Sequence, residues 1–169
     1  DILTNAQKSP EREQLFAFTK PTGITSGLLN VRADNTKFVP GDYATYNGMR
    51  IGTFRKNYTY ELFKKWAQEK GFTYQTTFYD TSTELYDAFH RGEVEAILAN
   101  SFRKPENEYT LDMFYTNYIY GIVRKDDTQL LNEFNYAINQ MNASEGDWVH
   151  RLLYKYVNNS SAIKTTFSQ

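Results

Sequence analysis

Cysteine is absent from the 169 residues. That excludes disulfides, thiol catalysis and cysteine-ligated metal, and it leaves the compartment open. No apolar run approaches the length of a membrane span, and no signal peptide is present. Charge of one sign is missing too: 19 basic against 20 acidic residues give a net charge of −1 with no Lys/Arg block, which speaks against a nucleic-acid surface. The sequence holds no GxGxxG, P-loop, GxSxG or HExxH motif. His90 and His150 stand alone, and Glu93 and Glu95 only flank an apolar strand, so no acid–base pair can be assembled. Neither a cofactor, a metal nor a catalytic residue is expected.

What is abundant is aromatic. Phe and Tyr number 12 and 14, a content that suits cores, strands and aromatic-lined pockets. The hydrophobic share of 40% and charged share of 23% are those of an ordinary globular protein. The length allows one large domain or two small lobes. The sequence opens at Asp1-Ile-Leu-Thr without an initiator Met and ends in a polar run from Asn158, so it reads as a piece of a longer protein.

Punctuation along the chain predicts the elements. Ser9 is an N-cap, Pro10 suits the first helical position, and Glu11 favours the positive helix end, giving one short turn of helix. Phe16–Phe18 reads as extended, with Pro21 and Gly23 breaking it. Leu28–Arg32 reads as a separate strand, followed by a polar loop to about Pro40-Gly41. Asn47-Gly48 signals a turn before a strand over Met49–Phe54. Asn57 caps a helix to Lys70 that carries Leu62, Phe63, Trp66 and Ala67 on one face, with Gly71 at its end. Phe72–Tyr79 alternates as a strand, and Thr81-Ser-Thr-Glu84 matches a capping box for a helix ending at Arg91-Gly92. Val94–Ala99 is a third strand. This β-α-β-α-β order with short loops predicts right-handed crossovers and a parallel sheet. Asn117–Arg124 forms another strand. A helix with the stripe Leu130, Leu131, Phe134, Ala137, Ile138 and Met141 follows, and then a second helix near 145–157.

In open α/β sheets, ligands gather beyond the carboxyl ends of the parallel strands. Here those ends are 53–58, 80–83 and 100–103. Their cations Arg55, Lys56 and Arg103 each read more readily as solvated than as engaged.

Four stretches together resemble a known family. Ser9-Pro-Glu-Arg12 with Phe16-Ala-Phe-Thr-Lys-Pro21 resembles its T-x-E-R … F-S-x-P-Y segment. Asn47-Gly-Met-Arg-Ile-Gly52 resembles L-x-G-K-x-V-G-V, and Leu85 through Leu98 resembles A-L-x-x-G-R-V-D-A-V-V. Tyr120-Gly-Ile-Val-Arg-Lys125 resembles Y-G-I-A-V-R-K-G. The family is that of the bilobed extracellular solute-binding proteins of the amino-acid-binding class, with the type II periplasmic-binding fold. The resemblance implies an α/β fold with one complete lobe and part of the other, the N-terminal portion of lobe one being absent. Residues 1–26 would be partial first lobe and hinge, 27–117 the second lobe, and 118–169 the return hinge and last helices. Half the cleft would be missing, so these residues by themselves are expected to hold their ligand weakly or not at all. A neighbouring chain, for instance in a homodimer, is expected to cover apolar surface on the last two helices.

By the same resemblance Arg12 faces the cleft and grips a ligand carboxylate, a role that suits the guanidinium fork. The plain alternative is a surface arginine pairing with Glu11 or Glu13, or stacking on Phe16. Asn5 and Gln7 stand where contacts to that carboxylate are usual. Asn100 stands where the family supplies an aspartate to the ligand ammonium, and it brings no charge. Phe54, Arg55 and Tyr58 make their loop bulkier and more cationic than the family's small one. The ligand expected is a small, amino-acid-like carboxylate. The role expected is the extracytoplasmic sensor domain of a membrane-tethered signalling protein such as a diguanylate cyclase or histidine kinase. The alternative is the receptor of an ABC importer, and an enzyme on the same fold would need a buried acid or base that the sequence does not point to.

Overall fold

A computed structural model describes residues 1–55, 57–144, 146, 148–153 and 155. The described chain forms β1 (Leu3–Ala6), α1 (Pro10–Leu15), β2 (Phe16–Arg32), β3 (Met49–Phe54) and α2 (Tyr58–Lys70). It continues through β4 (Tyr74–Tyr79), α3 (Ser82–His90), β5 (Ala96–Asn100), β6 (Glu108–Arg124), α4 (Thr128–Ser144) and α5 (Trp148–Leu153). A 3-10 turn over Tyr43–Tyr46 precedes β3. The chain divides into two compact units, Ser26–Thr116 and the combination of Asp1–Thr25 with Asn117–Gln169. Both long strands, β2 and β6, run from one unit into the other.

In the unit Ser26–Thr116 the turn chemistry acts as its residue types dictate. Gly48 takes a left-handed φ of 75° before β3, and Gly71 closes α2 at φ 76°, a conformation glycine adopts without a Cβ clash. Asn57 caps α2 through its side chain. Thr81 and Glu84 form both halves of a capping box at α3. β3 pairs in parallel with β4, Met49 opposite Tyr74 through Phe54 opposite Tyr79, and in parallel with β5. β5 pairs antiparallel with the end of β2, Gly27 opposite Asn100.

Alternation along β3 and β5 builds a core on each face of this sheet. Met49, Ile51, Ala96 and Leu98 join Phe63, Trp66, Phe72 and Phe114 in one buried cluster. Ile97 joins Leu85, Phe89 and Val94 in the other. Phe63 sits at the centre of the first. Its ring lies 5.0 Å from Tyr74, 5.3 Å from Phe114 and 5.7 Å from Trp66, edge-to-face and tilted distances that favour aromatic packing. Behind it Tyr46 donates its hydroxyl to Asp112 at 2.5 Å, and burial together with that carboxylate raises the phenol well above its usual range. On the second face Gly52 lets Leu85 approach so closely that a Cβ there would meet its methyl at 2.6 Å.

In the other unit, β1 pairs antiparallel with β6, Leu3 opposite Ile122 and Ala6 opposite Tyr120, with an irregularity between them where Asn5 has a φ of 61°. Ser9 caps α1 and Pro10 starts it. Three expectations need correction. Pro21 and Gly23 do not break the chain, because β2 runs continuously through them. β5 pairs only with Gly27–Val31, so the stretch around Pro21 is free of a strand on that side while β6 lies on the other. There the neighbouring Lys20 N–H is taken by Asn135 of α4 at 2.6 Å. Leu28–Arg32 is therefore the end of β2 rather than a separate strand, and β6 begins nine residues before Asn117, at Glu108. The stripe on α4 is only partly used: Ile138 is buried, Leu130, Leu131 and Phe134 are half-buried, and Ala137 and Met141 are exposed. Residues 145, 147, 154 and 156–157 of the second expected helix lie outside the described residues.

Phe63→Ala should remove the hub of the aromatic cluster and lower stability by about 3–5 kcal/mol. Urea denaturation followed by tryptophan fluorescence measures it.

Candidate functional site

Because β3, β4 and β5 are mutually parallel, Phe54, Tyr79 and Asn100 end at one rim of the unit Ser26–Thr116. The N-termini of α2 and α3 open at the same rim, where Asn57 and the Thr81–Glu84 capping box take up part of their first-turn N–H groups. Most polar groups there are committed locally. Arg55 pairs with Asp80 through Nε at 2.9 Å, and its backbone N–H reaches the Tyr79 carbonyl. Both side chains of that pair are exposed. Tyr58, the first residue of α2, is exposed, and the next residue's hydroxyl lies 3.3 Å from the Tyr115 hydroxyl. Phe54 is half-buried against Leu85, Phe89, Val94 and Ile97, so its ring belongs largely to the core. Lys56 lies outside the described residues. At the end of β3, Thr53 is fully buried, and its Oγ1 has no hydrogen-bond partner among the described residues.

Asn100 shapes the turn that follows β5. Its Oδ1 accepts from Phe102 N–H at 3.0 Å, and its carbonyl accepts from Arg103 N–H at 3.0 Å. Ser101 is tied to Ser26 in both directions, N–H to carbonyl at 3.0 Å and hydroxyl from N–H at 3.1 Å. Arg103 is not a solvated cation, contrary to the sequence reading. Its side chain is only 15% exposed, it is bonded to the fully buried Glu108 carboxylate, and its guanidinium stacks 3.9 Å above Tyr86. Burial raises the Glu108 carboxyl above its ordinary range, opposed by Arg103, Asn30 and His90. No sequence signal marks this pair. The two residues are five apart across a proline, a spacing that belongs to neither helix nor strand.

In the other unit, Gln7 and Arg12 meet at the corner between β1 and α1, and Asn5 lies on β1 just before it. Arg12 is exposed and donates through Nη1 to the Gln7 carbonyl at 3.0 Å. Glu13 is instead claimed by Lys8 at 3.7 Å, so the expected alternative pairing of Arg12 with a neighbouring glutamate does not form. The Lys8 ammonium also lies 4.7 Å from the Tyr120 ring centre and 5.4 Å from that of Phe18. Asn5 is exposed on the irregularity of β1.

A cleft of about 490 Å3, lined by Arg32, Asp34, His90 and Asn107, lies on the unit Ser26–Thr116. Val31 pairs with Ala96 at the start of β5, which puts this cleft at the end of the sheet opposite the rim. Arg32 is held there by the carbonyls of Phe89 and Val94, both at 3.0 Å. No group of three or more potential metal ligands occurs among the described residues.

The sequence matches the bacterial extracellular solute-binding proteins, family 3, over residues 1–159. The chain belongs to that family. Its fold is the α/β type II periplasmic-binding fold, and solved structures of this family's fold superpose closely. One is the probable amino-acid ABC transporter extracellular-binding protein ytmK from Bacillus subtilis, with a TM-score of 0.79 and 19% identity, covering 94% of this chain and 72% of that one. A mutant of ArgBP from T. maritima gives 0.69 and 19%, covering 94% and 69%. The ancestral amino acid-binding protein that is a precursor of cyclohexadienyl dehydratase gives 0.69 and 17%, covering 93% and 68%. Among curated proteins nothing matches. No helix among the described residues of this solute-binding chain is long and apolar enough to cross a membrane.

Arg55→Ala should cost the fold less than about 1 kcal/mol, because an exposed ion pair gains little over solvent. Thermal melts at low and high salt would show it, and a larger loss would assign Arg55 a structural role.

Proposed function

We propose that this solute-binding domain takes a small amino-acid-like ligand bearing a carboxylate. Arg12 is its principal contact, assisted by Asn5 and Gln7, and Phe54, Arg55, Tyr58 and Asn100 serve as further contacts. The observation that carries this reading is the state of Arg12 in a chain of this family. The guanidinium is exposed, is held by a single backbone carbonyl, and has no carboxylate within ion-pair distance among the described residues. An arginine set by backbone and left without a counter-ion is prepared for a bidentate carboxylate. Asn100 supports a ligand less dependent on its ammonium group, since it brings no charge and its Oδ1 is already spent on Phe102.

Two cellular roles suit such a domain. Delivery to an ABC importer is supported by the description of the Bacillus subtilis neighbour. A sensor role, anchored to the membrane outside these residues, is supported by the uncharged Asn100. The residues that follow Gln169 in the full-length protein discriminate between them: a membrane span with a cytoplasmic domain favours the sensor, and a stop favours the importer. Ligand recovered unchanged after long incubation supports binding without turnover, and a product would establish an enzyme.

The test is a thermal-shift screen of the full-length protein against free amino acids and the same compounds with amidated carboxyls. An acid at about a hundredfold over its Kd should add about 2.7 kcal/mol of stability. The amide should add little, and Arg12→Met should abolish the gain. Equal shifts by acid and amide, or a full shift in Arg12→Met, would remove the carboxylate reading. Asn100→Asp should sharpen the preference for a free α-amino group, read by comparing each amino acid with its N-acetyl form.

A further inference from the structure

Arg103 and Glu108 lie outside every contact assigned so far, yet they form the most deeply buried ion pair among the described residues. The Arg103 guanidinium lies flat on Tyr86 of α3 and reaches the Glu108 carboxylate at the start of β6. Glu108 Oε1 also accepts from Asn30 of β2 at 3.1 Å, and Asn30 Oδ1 accepts from the Thr110 hydroxyl at 3.0 Å. Glu108 Oε2 has no hydrogen-bond partner among the described residues. The groups that act on this carboxyl are Arg103 from the loop, Asn30 from β2 and His90 from α3, with Tyr86 of α3 behind Arg103 and Thr110 of β6 behind Asn30. Arg32, two residues along β2, is held by the carbonyls of Phe89 and Val94.

Two further observations link this pair to the rim. Arg103 closes the turn of Asn100 with its own backbone N–H, so the side chain that anchors position 103 also fixes the geometry of that turn. Within the turn, the Asn100 oxygen accepts from Phe102 N–H, and Ser101 is tied to Ser26, so position 103 closes a turn that is held from both of its ends. A stacked, hydrogen-bonded guanidinium fixes position and orientation together, which an apolar side chain of similar volume does not.

We propose that Arg103 and Glu108 are a positioning pair that sets the turn at Asn100, Ser101 and Phe102 and thereby presents Asn100 at the rim. Its meaning for ligand recognition rests on the solute-binding role of Asn100 given above. Burial holds the Glu108 carboxyl above its ordinary range. A carboxyl raised in this way stabilises the fold fully only below its unfolded pKa, and that contribution is lost as pH rises through the folded value. Ionising Glu108 therefore weakens the fold, whereas removing Arg103 leaves a buried carboxyl uncompensated and costs stability as well. What the geometry of the pair adds to its effect on stability is a fixed position for residue 103 at the end of the turn.

The experiment follows the backbone amide signals of Ser101 and Phe102 in isotope-labelled full-length protein from about pH 4 to about pH 8. The variants are Glu108→Gln, Arg103→Lys and Arg103→Met. In the unaltered protein both signals should titrate together, with a midpoint above that of ordinary glutamates, and the titration should vanish in Glu108→Gln. In Arg103→Met the Phe102 amide should exchange with solvent on the order of tenfold faster, while the amides of α2 stay as they were. Arg103→Lys should recover part of that protection. Signals that do not move with pH, or protection unchanged in Arg103→Met, would overturn the proposal. If Arg103→Met does not fold, the titration and its loss in Glu108→Gln decide alone. None of these readouts needs a ligand, so a turn that responds as expected in a protein that binds no amino acid would sink the solute-binding role of Asn100 and leave the pair standing.

Discussion

β3 pairs in parallel with a strand on each side, and most of the unit Ser26–Thr116 follows from that constraint. A parallel pair cannot be closed by a tight turn, so each crossover has to be a full element, here α2 and α3. Those helices cover the sheet with Phe63, Trp66 and Ala67 on one side and Leu85, Ala88 and Phe89 on the other. The same geometry brings three strand ends and two helix starts to one rim. Core and rim are therefore two results of one pairing pattern, and the aromatic richness of the sequence is largely spent on the core.

The charges of this protein divide by solvent access. Arg55 and Asp80 sit in water, where the attraction is small and the geometry loose. Arg103 and Glu108 sit out of water, where each needs the other and the flat stack on Tyr86 leaves few alternatives. Arg12 is of neither kind, since its support is a backbone carbonyl. Among the described residues no carboxylate lies within ion-pair distance of it.

Much of this was legible beforehand. Met49–Phe54, the Asn57 cap, Gly71 and the Thr81–Glu84 capping box all lie where the sequence places them, because each is governed by contacts within a few residues. The continuity of β2 through Pro21 was not legible. Whether a proline breaks a strand depends on whether its N–H would have faced a neighbour, and that is a matter of sheet order. The early start of β6 was equally hidden, since the burial of Leu111 and Phe114 follows the packing around Phe63 rather than a clean alternation. Asn100-Ser-Phe could have been read as a side-chain-to-backbone turn from its residue types.

The sequence by itself determined the β-α-β-α-β order, the caps and turns that delimit it, and membership of an extracellular solute-binding family, because short-range hydrogen bonds and periodic burial are written locally. Tertiary structure alone decided which charges are free and which are spent. The partner of Arg103 lies across a loop, and its stacking surface lies on a helix that precedes it in the chain. The energy of a charge is set by what surrounds it in space, and sequence order does not carry that information.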